Sequence, residues 1–140
     1  MKKKVMVFGV FDRLHPGHHY FLQTASKLGE SLIAVVARDS SVSALKNKKA
    51  IETEDERLRK VGELPYVSSS VLGDEILGIY EVIKTHQPYL ICLGYDQHAL
   101  GADLRQKVRD GLLSGLEIIS LEGYQPEEFH SSLISGADVT

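Results

Sequence analysis

Apolar and polar positions along the chain change period several times, and each change marks an element. Val5 to Phe8 is an unbroken apolar run, the mark of a buried strand, and Gly9 ends it. Phe21, Ala25 and Leu28 then recur at helical spacing. Pro16 suits a first helical turn, where its missing N–H costs nothing, so the spacing predicts a helix over 16–28 stopped by Gly29. S-L-I-A-V-V-A predicts a second buried strand over 31–37, and the polar, basic stretch 40–51 predicts a mobile loop. Thr53 and Glu56 have capping-box spacing and open a helix with Leu58, Val61 and Leu64 on one face. Residues 67–72 read as a short strand filled with serines. Gly73-Asp74 opens a helix on which Ile76, Ile79, Tyr80 and Ile83 form a core face, ended by Gln87-Pro88. Tyr89 to Leu93 is another strand, Leu100, Leu104, Val108 and Leu112 line a helix, and Gly115 precedes a last strand over 116–121.

Five strands alternating with helices predict an α/β fold in one domain spanning 1–140. It is a Rossmann-like, doubly wound five-stranded parallel sheet with helices on both faces. The hydrophobic fraction of 43% and net charge of −3 suit a soluble globular chain and argue against one built to coat nucleic acid. A single cysteine excludes an intrachain disulfide framework and fits a reducing cytoplasm. No run reaches membrane-spanning length. The apolar stretch behind Lys2–Lys4 meets Asp12 and Arg13 too soon for a signal peptide.

The candidate chemistry gathers where strands end and helices begin. A helix starting at Pro16 offers its N–H groups and dipole to an anion, and Gly17 has no side chain to keep a phosphate away. His15 and His18, three apart, fall on one face and can donate to phosphate oxygens. Zinc is the weaker reading of H-x-x-H, because no C-x-x-C accompanies it. Arg38 and Asp39 follow a strand on its ligand-facing end, and a surface ion pair reads equally well. Lys46, Lys48 and Lys49 lie in a loop suited to close over phosphates, although for Lys48 and Lys49 a solvated basic loop is the better reading. Gly94-Tyr95-Asp96-Gln97 follows another strand, and Ser131 and Ser132 open a short helix suited to an anion.

Together, G-V-F-D-R-L-H-P-G-H (9–18), G-Y-D-Q (94–97) and F-H-S-S-L-I (129–134) resemble the signatures of the nucleotidylyltransferase superfamily. The similarity lies in its cytidylyltransferase-like branch, which holds glycerol-3-phosphate cytidylyltransferases and archaeal-type FAD synthases. The resemblance implies that His15, His18 and Lys46 are catalytic. It implies that Gly9, Val10, Phe11, Asp12, Gly17, Arg57, Gly94, Tyr95, Asp96, Gln97, His130, Ser131 and Ser132 bind nucleotide, with Arg38 and Asp39 placed for the acceptor. The chain departs from the pattern at Val10, often threonine in relatives, and at Ser135, which follows Ile134 where an arginine is usual. The long closing helix of many relatives is short or absent before Thr140, and His130 is expected to supply part of the missing donor capacity. The implied reaction is attack by an acceptor phosphate on the α-phosphorus of a nucleoside triphosphate. It releases pyrophosphate, with Mg²⁺ carried on the phosphates and no resident metal, in a homodimer. Among acceptors, FMN with ATP leads, with glycerol-3-phosphate and CTP behind it. A nucleotide-binding module without turnover is the reading from another class.

Overall fold

In the computed structural model, residues 3–46 and 49–121 are described. The chain alternates strand and helix. β1 (Lys4–Gly9), α1 (Pro16–Ser26) and β2 (Ser31–Val36) come first, followed by α2 (Asp39–Lys46) and α3 (Glu54–Gly62). Then follow β3 (Ser69–Leu72), α4 (Glu81–His86), β4 (Leu90–Leu93), α5 (His98–Arg109) and β5 (Glu117–Ser120). The strands form one sheet in the order β3-β2-β1-β4-β5, and every pairing is parallel. The chain steps outward from β1 in one direction, then returns to its other side. The turning point of that path lies between β1 and β4, where an open α/β sheet leaves a crevice at its carboxyl edge.

The unbroken apolar runs follow from this layering. Val5 and Val7 face one side with Leu32, Ala34, Cys92, Phe21 and Leu22, while Met6 faces the other with Ile33, Val35, Ile91 and Leu104. Helices α1 and α3 supply the first layer, α4 and α5 the second. Leu22 and Leu104 have no exposed surface, and each such side chain contributes roughly 1.5–3 kcal/mol of apolar burial. Burial also pushes the Cys92 thiol up to about 12, so it packs as a small hydrophobe. The serines around the third strand are used as well: Ser68 Oγ, just before β3, accepts the Leu32 N–H, and Ser70 Oγ, within it, donates to the Leu58 carbonyl.

Three expectations are corrected here. Stretch 40–51 is not all loop, because 39–46 form α2 with Asp39 in its first turn and Val42 buried on one face. Acid at a helix start favours the dipole, a signal masked by the serines around it. The helix expected from Gly73 is only Glu81–His86. Gly78 (φ 87°) and Tyr80 (φ 60°) are left-handed, so 73–80 cannot continue a helical path. Tyr80 and Ile83 are buried as expected, but Ile76, Leu77 and Ile79 are exposed. Finally, Gly111 (φ 80°) stops α5 early, so Leu112 is 60% exposed and Leu113 enters the core in its place.

Candidate active site

The β1–α1 loop reaches the carboxyl edge of the sheet beside β4. Its backbone is bent twice into the left-handed region, at Phe11 (φ 55°) and Arg13 (φ 54°). Such non-glycine positions cost about 1–3 kcal/mol each and persist only where surrounding structure holds them. Here it does. Asp12 accepts the Ile51 and Glu52 N–H groups at 2.8 and 2.9 Å, and Glu52 accepts the Arg13 N–H at 2.8 Å. Lys60 pairs with the same Glu52 and holds its carboxyl below the usual range.

The loop delivers His15 as the N-cap of α1, and the two histidines cap the helix reciprocally. Gly17 N–H donates to His15 Nδ1 at 3.1 Å, and His15 N–H donates to His18 Nδ1 at 3.3 Å. The rings stack with centroids 3.8 Å apart, and Phe11 meets His18 edge-on at 5.7 Å. An imidazole nitrogen that accepts an N–H cannot itself carry a proton. Both rings therefore hold their proton on Nε2. Burial, then His15 and His19, lowers His18 to about 3, while burial and then His19 lowers His15. Near neutrality the pair is two uncharged imidazoles, each with one Nε2–H to give. His18 Nε2 is buried and has no partner among the described residues. An orphan donor of this kind costs roughly 1–3 kcal/mol and marks a place meant for an acceptor.

This geometry changes the expected roles. The N–H groups at the start of α1 are not open to an anion, because the His15 side chain takes them. The donors left for a phosphate are the imidazole Nε2–H groups. Gly17 is small for a different reason from the one expected: a Cβ there would stand 2.9 Å from His15 Cε1. Phe11 is a core side chain with no exposed surface, and the Val10 carbonyl accepts from Arg57. Asp12 ties the loop to 51–52 and is not free for nucleotide.

Arg57 is likewise corrected, for its guanidinium has no exposed surface. It donates to the carbonyls of Glu52, Val10 and Ala37 at 3.1, 2.9 and 2.7 Å and to Asp39 Oδ1 at 2.6 Å. Asp39 is thereby engaged with Arg57 and accepts the Glu54 N–H through its other oxygen at 3.2 Å. Arg38 Nε donates to the Gly73 carbonyl at 2.7 Å, leaving its guanidinium part-exposed at the end of β2. After β4, Gln97 Oε1 accepts the Gly94 N–H at 2.8 Å and Gln97 Nε2 donates to the Phe8 carbonyl at 3.0 Å, fastening the 94–97 turn to β1. Asp96 keeps both carboxylate oxygens buried in that turn, beside Tyr95. Gly9 closes β1, and its carbonyl accepts the Ala37 N–H at 2.9 Å. The Lys46 side chain, Lys48, His130, Ser131 and Ser132 lie outside the described residues. His19, not singled out in the sequence, pairs through Nδ1 with the Tyr66 hydroxyl, and its place beside H-x-x-H was the available signal.

A parallel sheet of this order, with two neutral imidazole donors on a helix start at its switch point, defines a Rossmann-like nucleotide-handling protein. A solved Thermoplasma volcanium structure, described as a lipopolysaccharide core biosynthesis protein, is 35% identical with a TM-score of 0.81, covering 89% of this chain and 99% of that one. Among curated sequences, the FAD synthase of Picrophilus torridus is 36% identical over 92% of this chain and 91% of its own length. That of Ferroglobus placidus is 44% identical over 76% and 68%. The cytidylyltransferase-like family model matches residues 6–139, and the chain belongs to that family of nucleotidyltransferases.

Proposed function

We propose that this protein is an FMN adenylyltransferase. A phosphate oxygen of FMN attacks the α-phosphorus of ATP, a new P–O bond forms, and the bond to the β-phosphate breaks. Pyrophosphate leaves with that electron pair, and FAD is the product. The observation that carries the reaction class is the His15–His18 pair at the β1–β4 crevice, two uncharged rings whose Nδ1 atoms are spent on the cap, with the buried His18 Nε2 lacking a partner among the described residues. Donors fixed before the reaction stabilise charge on phosphate oxygens without reorganising. Support for the substrates comes from the archaeal FAD synthases that match most of the chain.

The 94–97 turn is assigned to the nucleotide, and Gly9 to the crevice beside it. Arg38 is assigned to the acceptor phosphate. Lys46 is assigned to the transferring phosphates, and His130, Ser131 and Ser132 to the triphosphate, on resemblance alone. The donors described at the crevice are N–H groups, which suit phosphate oxygens and not a cation. A divalent ion, Mg²⁺ in this reading, is therefore assigned to the nucleotide's own oxygens, where it would neutralise phosphate charge. Among the described residues no helix is long and apolar enough to cross a membrane. A cytoplasmic homodimer remains part of the proposal.

The test is pyrophosphate release with ATP or CTP crossed against FMN and glycerol-3-phosphate. Release with ATP and FMN alone upholds the proposal. Release with CTP and glycerol-3-phosphate alone replaces it with the cytidylyltransferase reading, and nucleotide binding without any release replaces it with a binding module.

A further inference from the structure

The buried guanidinium of Arg57 joins segments that the fold otherwise keeps apart. Its Nη1 bridges the carbonyl of Val10, at the root of the histidine loop, and that of Ala37, at the end of β2. Its Nε takes the carbonyl of Glu52, and its Nη2 takes Asp39 in α2. Only a planar fork with five donors can serve these directions together; an ammonium is a compact point charge on a flexible stem. The Glu52 that Arg57 fixes by its backbone holds the Arg13 N–H by its side chain. Asp12 closes the circle from the loop to the Ile51 and Glu52 N–H groups. Two left-handed residues, Phe11 and Arg13, thus lie between the Arg57 anchor at Val10 and the cap at His15. Were the anchor released, the loop could relax, and the register of His15 against Gly17 and His18 would relax with it.

We propose that Arg57 is a positioning residue whose buried contacts hold the β1–α1 loop in the strained path that locks His15 and His18 as Nε2–H donors. Arg57 touches no substrate in this account. The claim rests on the adenylyl-transfer reading for its activity arm only.

The test is Arg57→Lys, purified, with its folded fraction fixed by denaturant titration. Steady-state rates are measured with ATP and FMN, and imidazole ¹⁵N spectra without substrate. His15→Gln and His18→Gln assign the two rings among the six histidines. The expected result is a fall in kcat of about 10- to 100-fold per folded molecule, the scale of a slight misplacement of reacting groups, with the KM for ATP little changed. The Nδ1 and Nε2 signals of His15 and His18, widely separated in the wild type, move together as tautomers mix. Wild-type kcat with unmixed tautomers overturns the proposal. So does a raised KM for ATP with kcat held, which would make Arg57 a ligand contact. If Arg57→Lys does not fold, Asp39→Asn takes its place, since Asp39 is half exposed. It should shift the same signals in the same direction, and unshifted signals overturn the proposal. If wild-type protein makes no FAD, the spectra still decide the positioning claim.

Discussion

His15 and His18 each take a main-chain N–H of the same helix start on Nδ1, and their rings stack 3.8 Å apart. A helix start usually receives an anion on its own N–H groups. Here those groups are spent on the histidines, and the capacity to donate passes outward to two Nε2–H groups. Replacing His18 with alanine removes one of them. Turnover should fall by about two to three decades, the scale of one lost preorganised donor. Steady-state pyrophosphate release checks it, and turnover near that of wild type would remove His18 from the catalytic site.

Stability should carry the signature of the neutral ring. Unfolded histidine takes up a proton below about 6.5. Folded His18 does not until about 3. Between those values the unfolded state binds the extra proton, so stability falls as pH falls. The slope from this one residue approaches about 1.4 kcal/mol per pH unit. Urea titrations at pH 7, 6 and 5 should show it in wild type, and His18→Gln should lose that part of the slope.

Gly17 separates stability from activity. Alanine is favoured over glycine inside a helix by about 1 kcal/mol. Yet its Cβ would lie 2.9 Å from the His15 ring and push it off its cap. The helix propensity gained and the cap lost are of similar size, so Gly17→Ala should change Tm little while kcat falls by roughly tenfold or more. A variant with full activity would mean that the His15 ring position is unimportant.

The end of α5 gives a test of the fold alone. Leu113 is 4% exposed and Leu112 60% exposed. Leu113→Ala should cost about 2–5 kcal/mol in denaturant unfolding, the range for a buried leucine, and Leu112→Ser close to nothing. Equal effects would put the helix end elsewhere.

The sequence made the sheet and the H-x-x-H pair legible because both are local patterns. Apolar runs mark strands buried on two faces, and Pro16 marks a helix start. Periodicity failed at 73–80, where Ile76 and Ile79 have helical spacing but Gly78 and Tyr80 adopt left-handed backbone. Arg57 was misread for another reason. On a helix opened by Thr53 and Glu56, an arginine reads as exposed or as a ligand contact, and nothing local announces that the distant carbonyls of Val10 and Ala37 converge on it. The anchoring of Gln97 was equally hidden, since the Phe8 carbonyl that holds its side chain lies on the neighbouring strand β1, far away in sequence. The Nε2–H tautomer was out of reach because it depends on hydrogen bonds that form only once the cap is built.

The most direct test of the account is the product formed from FMN and ATP. With a divalent cation present, the account predicts FAD and pyrophosphate in equal amounts, and no reaction when CTP replaces ATP. Transfer from CTP to a polyol phosphate, with FMN untouched, would contradict it.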